Sequence, residues 1–397
     1  MRKEILIIGG GASGFFAAIN IAESHPDYQV IILEKSNQLL AKVRISGGGR
    51  CNVTHACFEP KDLSKFYPRG EKEMLGAFHR FSTGDVIEWF AKRNVELKIE
   101  EDGRMFPVSD RSETIIDCFM QAVKDLGIEV RLKSNVKEIQ KETRFTVILD
   151  DDSKLNADHV VVAVGGNPKL SHYSFISQLG HQIEKPIPSL FTFNLPKSKS
   201  NELMGLALDA EVQILGTKYS EYGPVLFTHW GMSGPAILKL SARAAIELYQ
   251  KSYQFKFQIS WLENTEDFLA EVRKNQAAKK LINTKPAEFP NRFWQYLLDR
   301  AEVYSGKNWG DLSKKKLDRI EGCLTKDIYE ANGKTTFKEE FVTAGGIDLK
   351  EINMKTMESK LVDGLFFCGE VMNVDALTGG FNFQAAWTSA WHVAQNV

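Results

Sequence analysis

At 397 residues the chain exceeds one ordinary compact domain and suggests two or three. Its 43% apolar and 25% charged residues exclude a disordered chain, and a formal charge of −1 excludes an overall field that draws it to nucleic acid or anionic lipid. No apolar run approaches the roughly 20 residues that cross a bilayer, and five scattered cysteines (Cys51, Cys57, Cys118, Cys323, Cys368) argue against a disulfide scaffold and for a reducing, cytoplasmic setting.

The chain opens with an apolar run, Lys3 to Ile8, then Gly9-Gly10-Gly11-Ala12-Ser13-Gly14, then the small and apolar residues Phe15 to Ala22, then Val30 to Leu33 ending in Glu34. This predicts strand, tight turn, helix and strand, one βαβ unit. Asp110-Arg111-Ser112-Glu113 has capping-box spacing ahead of Ile115, Ile116, Phe119, Val123 and Leu126, which predicts a helix ending at Gly127. Arg144 to Leu149 and Leu155 to Ala163 predict a hairpin that feeds the buried run Val160 to Gly166.

After about Pro186 the pattern changes. Prolines punctuate short β segments at Leu190 to Leu195, Ala207 to Leu215 and Phe255 to Trp261, which predicts an inserted β-domain over 189–262 and 334–341. Three helical patterns rich in lysine and arginine predict a helical subdomain over 263–333. From about Thr343 the early character returns, so 1–188 and 342–397 are expected to form one domain.

Gly9-x-Gly11-x-x-Gly14 between strand and helix fits a dinucleotide fingerprint, with Ala12 and Ser13 at the helix start where free N–H groups favour phosphate. Glu34, 20 residues beyond Gly14, is placed to accept hydrogen bonds from ribose hydroxyls, with Lys35 beside it and Val136 further along as cofactor contacts. In Arg44 to Thr54, glycines 47–49 lie between two arginines. The backbone of such a loop can press on a flat polar ring or a phosphate while Arg44 or Arg50 neutralises charge, which makes Ser46, Gly47, Gly48, Cys51 and Asn52 candidates. Cys51 and Cys57 form a redox pair only if the thiols meet; a packed thiol is the default for Cys51.

Gly165 closes one strand, and Gly369-Glu370 closes a later one whose acid is placed for a ribityl chain. With the N-terminal fingerprint, this late segment favours FAD over NAD alone. Asp375, Gly380, Asn382 and Phe383 flank a helix entry whose N–H groups can meet the electron-rich side of a flavin.

With these residues in view, the sequence resembles the BaiN/YhiN-type family of bacterial flavoproteins, the aminoacetone oxidase-like proteins. The resemblance rests on Gly9 to Gly14, Arg44 to Thr54, Asp102 to Pro107, Phe227 to Pro235, Val342 to Gly346 and Gly369 to Gln384. It implies an α/β fold in which a Rossmann-like FAD domain of glutathione-reductase type is interrupted by a β-barrel-like domain and a small helical subdomain. Two segments depart from the family pattern: Asn167 to Phe175 is short, and Asn373 and Ala376 stand where an acid and a glycine are expected, with Asp375 nearby.

The expected activity is FAD-dependent oxidoreduction by hydride transfer between flavin and a small amine, ketone or enone, with NAD(P)H as a transient donor and His229 as a polar group facing substrate. Whether the enzyme runs as oxidase or reductase is left open, as is its oligomeric state. Tyr173 and Arg104 are weaker catalytic candidates. A flavin-dependent RNA-modifying factor is the alternative, on Arg273-Lys274, Lys279-Lys280 and Lys314 to Lys316, although a solvated helical face accounts for those charges and a nucleic-acid partner is not expected. A non-catalytic FAD-bound redox module is the third reading.

Overall fold

A computed structural model of the chain describes residues 2–336 and 342–397; the 337–341 portion of the expected β-domain lies outside the described residues. Strand β1 (Glu4–Ile8), helix α1 (Ala12–Ser24) and strand β2 (Gln29–Leu33) form the predicted βαβ unit. The first strand pairs in parallel with β2 on one side and with His159–Val162 on the other. Leu365–Phe367 pairs in parallel with His159–Val162, and Glu129–Arg131 with β2. Segments from both ends of the chain thus share one sheet. Two short antiparallel strands, Glu358–Ser359 and Ile352–Asn353, extend its outer edge.

A continuous apolar run cannot present a polar face to water, so the strand it forms must be covered on both sides. Ile5 to Ile8 and Val160 to Val162 are all buried. On one side α1 lies against the C-terminal helix Phe381–Ala394, with Phe16 and Trp387 rings 5.2 Å apart. The helix Ser112–Asp125 buries Ile115, Ile116, Phe119 and Val123, each contributing about 1.5–3 kcal/mol where fully removed from water. Its expected capping box does not form: Arg111 is the N-cap, and Asp110 turns left-handed and pairs with Lys98 and Arg50. The segment 136–157 is a three-stranded meander that leads into the central strand.

Residues Leu190–Thr336 form a second compact unit with its own core. Its seven-stranded sheet ends on one side with Asp327–Asn332 and on the other with Lys334–Thr335. Only Gly333 joins these two outer strands, so the sheet curls until its edges adjoin, which gives the barrel-like form. Helices Thr265–Asn275, Asn291–Arg300 and Lys314–Thr325 follow the predicted helical patterns. They share the core of the sheet through Val272, Phe293, Trp294, Leu297 and Leu324. The span 263–333 is therefore not wholly helical: Asp327–Asn332 pairs with Gln254–Ser260, because alternating burial of Asp327, Tyr329 and Ala331 suits a strand.

Candidate functional site

The turn after β1 gives each glycine of the fingerprint a separate task. A Cβ on Gly9 would stand 2.4 Å from the Ala163 carbonyl oxygen, and one on Gly14 would stand 2.0 Å from that of Gly9. Both are therefore required by packing of turn, helix and sheet. A Cβ on Gly11 would meet nothing within 4 Å. That backbone faces open space at the start of α1, where Ala12 and Ser13 open the helix and a pyrophosphate can approach. The residues present fit a dinucleotide.

Beside this turn a cavity of about 340 Å³ is lined by Gly9, Glu34, Lys35, Asn135, Val136 and Tyr173, among others. The Glu34 carboxylate accepts from the Gly10 and Ser36 N–H groups, each at 2.8 Å, which holds it at the strand end. Lys35 Nζ lies 3.5 Å from His172 Nδ1, and burial, with Lys35 adding to it, holds His172 below its ordinary value. The Tyr173 hydroxyl accepts from the Asn167 N–H at 3.0 Å, and burial pushes it up to about 12. Tyr173 thus lines this cavity, in the short segment Asn167 to Phe175.

The arginine-glycine segment is partly helical. Helix α2 (Ala41–Gly49) carries Arg44 and breaks at Ser46, which is extended (φ −60, ψ 147). Gly47, Gly48 and Gly49 then follow with φ of +58, +69 and +85. Three successive left-handed residues are tolerable only as glycine. Cβ atoms on Gly48 and Gly49 would meet nothing within 4 Å, whereas one on Gly47 would strike Phe106 at 2.7 Å. The kink therefore stands on Phe106 and shows bare backbone beyond it.

Both arginines of this segment already face carboxylates. Arg44 pairs with Glu113 at 3.2 Å; Arg50 pairs with Glu100 at 2.5 Å and lies 3.9 Å above the Phe106 ring. Arg104 pairs with Asp102 and Glu100 in the same cluster. Cys51 and Cys57 are both free. Burial pushes the Cys51 thiol up to about 12 and also raises Cys57, so neither is an activated thiolate.

Tertiary structure brings the late segment to the early one. Gly369 sits against Ser13, where a Cβ would be 2.6 Å from its hydroxyl. Glu370 is held by Lys42 Nζ at 2.6 Å and by the Thr343 N–H at 2.8 Å, with Gly166 pressed against its carboxylate and left-handed Gly165 just before. Sequence pattern points to neither Lys42 nor Thr343 as a partner of Glu370; for Thr343 the Val342 to Gly346 motif is the one signal. At the entry to the C-terminal helix, a Cβ on Gly380 would stand 2.4 Å from the Thr54 carbonyl oxygen. The Asn52 amide donates to Thr54 O and accepts from Gly380 N–H, each at 3.0 Å. Asn382 brackets Ala376, accepting from its N–H and donating to its carbonyl, and the Phe383 ring stacks on Trp387 at 5.5 Å.

Asp375 stands apart from this group. Its side chain is fully buried, with the Arg69 guanidinium paired across both oxygens and the Ser189 hydroxyl donating to one of them. Burial raises this carboxyl against the pull of Arg69. Expected at the cofactor, Asp375 anchors its loop through these contacts. Asn373, which with Ala376 departs from the family pattern, accepts from the Gly345 N–H at 3.1 Å. His229 lies in the second unit, exposed in the turn between strands Ser220–Phe227 and Gly231–Ser233, its ring 4.1 Å from that of Trp230.

A mainly parallel sheet with a fingerprint turn, an adjoining cavity and a bare glycine backbone defines a Rossmann-type dinucleotide-binding protein. The model described as HI0933-like protein Rossmann domain matches residues 3–396, and the chain belongs to that FAD-dependent family. It is 31% identical to a ribosomal RNA dihydrouridine synthase of Escherichia coli K12, over 100% of this chain and 98% of the relative. It is 27% identical to a 3-dehydro-bile acid delta(4,6)-reductase of Clostridium scindens, over 98% and 97%. Among solved structures, a 3-ketosteroid-delta4-(5alpha)-dehydrogenase of Rhodococcus jostii RHA1 shares the fold, with a TM-score of 0.51 at 12% identity, covering 99% of this chain and 97% of that one. No helix of the described residues is long and apolar enough to cross a membrane.

Proposed function

We propose that the protein reduces a carbon–carbon double bond conjugated to a carbonyl, and that its substrate is a uracil base of ribosomal RNA. One observation carries this reading. Two full-length relatives named for very different substrates, an RNA base and a bile acid, imply the same chemistry, because the ring double bond of uracil and the delta(4,6) bonds of a 3-dehydro bile acid are both conjugated to a carbonyl. The RNA substrate is preferred on the higher identity.

Bound FAD supplies the two-electron chemistry. In balance, a hydride reaches the carbon β to the carbonyl, a proton reaches the α carbon, and NAD(P)H returns the electrons. The single glycine fingerprint supports a nicotinamide that visits transiently. Gly9, Gly11, Ala12, Ser13 and Gly14 would hold the pyrophosphate, and Glu34, Lys35 and Val136 the adenosine. Gly165, Gly369 and Glu370 would hold the ribityl chain. Ser46, Gly47, Gly48, Cys51, Asn52, Gly380, Asn382 and Phe383 would hold the ring. His229 is assigned to face the substrate and supply its proton.

The test is anaerobic reduction of the purified holoprotein with NADH and NADPH, followed by protein-free ribosomal RNA and mass analysis of its nucleosides. The expected result is flavin bleaching by a nicotinamide, reoxidation by RNA and a uridine that has gained two hydrogens. In His229→Gln the bleaching persists and the reoxidation slows by about 10²-fold. Reoxidation by a cyclic enone but not by RNA replaces the RNA substrate with a small molecule. A flavin reduced by no nicotinamide and reoxidised by neither acceptor overturns the proposal in favour of a redox module.

A further inference from the structure

Between residues 273 and 316 the sequence places eleven basic against four acidic side chains, in a protein whose formal charge is −1. Part of this excess has an ordinary explanation: Arg273 and Lys274 end the helix Thr265–Asn275, where the macrodipole favours cations, and Arg300 pairs with Asp327. The remaining lysines have no such account.

The backbone draws them together. Lys279–Leu281 runs antiparallel to Lys307–Trp309, with Leu281 N–H donating to the Lys307 carbonyl at 2.9 Å and Trp309 N–H to that of Lys279 at 3.1 Å. Five residues beyond Trp309, Lys314, Lys315 and Lys316 fill the first turn of Lys314–Thr325, which contains no acid and whose N-cap Ser313 makes no side-chain cap. Cations there oppose the helix dipole, an arrangement that costs stability. Lys316 also faces Lys307 closely enough that this neighbour holds its ammonium below the ordinary value. Among the described residues, no ion pair joins a carboxylate to Lys279, Lys280, Lys307, Lys314, Lys315 or Lys316, although Asp311 and Asp318 stand nearby in the sequence. A surface charge that only confers solubility is normally interspersed with the opposite sign and placed where dipoles favour it. This one is neither.

We propose that Lys279, Lys280, Lys307 and Lys314–Lys316 form a docking surface for the phosphate backbone of an RNA, on the unit Leu190–Thr336. The proposal rests on the RNA reading above and adds where the chain holds that substrate. Sequence-independent contacts of this kind position a nucleic acid and release counterions, so each lysine that meets a phosphate steepens the fall of affinity with salt.

The test measures binding of fluorescently labelled, protein-free ribosomal RNA to the full-length holoprotein across a salt series. The variant Lys307→Ala/Lys314→Ala/Lys316→Ala is compared with Lys61→Ala/Lys72→Ala/Lys124→Ala, which removes the same charge from exposed sites elsewhere. Flavin absorbance and bleaching by nicotinamide check that both variants are loaded and folded. The expected result is at least about a tenfold loss of affinity and a salt slope lower by about 2 in the first variant only. Equal binding by both variants and the unmodified protein, or equal loss in both variants, overturns the surface while leaving the RNA reading intact. No binding by the unmodified protein even at low salt overturns both, and the enone reaction still separates that outcome from an inactive enzyme.

Discussion

Gly11 and Gly14 stand three residues apart and answer to different demands. Gly14 lacks a side chain because the neighbouring carbonyl occupies that space; Gly11 faces open space. Gly14→Ala is expected to destabilise the apoprotein by at least about 3 kcal/mol, through overpacking against backbone that cannot yield. Gly11→Ala is expected to unfold at the same denaturant concentration as the unmodified apoprotein, since its φ of −96 suits alanine, yet to bind FAD about tenfold more weakly. Urea unfolding of apoprotein and FAD titration, run on both variants, separate the two demands. Equal stability of the two apoproteins defeats the distinction. Spacing alone identifies the motif, but which glycine is packed against backbone and which faces open space depends on atoms from residue 163 as well as from the turn.

The loop from Gly369 to Gly380 is an element without regular structure, so side chains must hold it. Asn382 pins Ala376, Asn373 pins Gly345, and Arg69 with Ser189 pins Asp375. A buried carboxylate deprived of its partner is costly, so Arg69→Ala is expected to lower stability by about 3–5 kcal/mol. Arg69→Lys recovers little, because an ammonium cannot pair with both carboxylate oxygens as the planar fork does. Thermal and urea unfolding of both variants, with Arg69→Met/Asp375→Met as the packed apolar comparison, measure this; full rescue by lysine would show that charge alone matters. Sequence pattern points to Gly369, Glu370, Asp375 and Gly380 of this loop as cofactor contacts. It does not separate Asp375 from Glu370: both acquire a cation from far away in the chain, Arg69 and Lys42, but only the Asp375 side chain is fully buried.

Over the molecule as a whole, burial leaves several histidines reluctant to take a proton. His159, His181 and His392 are all held below the ordinary value of 6.5, chiefly by burial. For a base whose folded value is lowered, the unfolded chain binds the extra proton first. Stability is therefore fully present above about pH 6.5 and is lost as pH falls through that value towards the folded ones. Urea midpoints are expected to drop on acidification from pH 7 to pH 5, and His181→Gln is expected to flatten that drop. An unchanged pH profile in this variant would assign the acid sensitivity elsewhere.

Local pattern was enough for the parts whose physics is local. A buried parallel strand must be continuously apolar, a phosphate turn must be glycine-rich, and helices with a 3.6-residue period must bury one stripe. The βαβ unit, the C-terminal return and the three helices of the second unit were all legible for these reasons. The capping box at Asp110 was misread because Lys98 and Arg50 compete for that carboxylate from distant elements. Closure of the seven-stranded sheet at Gly333, the carboxylates that occupy Arg44 and Arg50, and the convergence of Thr343 and Lys42 on Glu370 were decided only by tertiary structure. Each depends on pairs separated by tens to hundreds of residues, and a chain's order does not record which of many possible partners will meet.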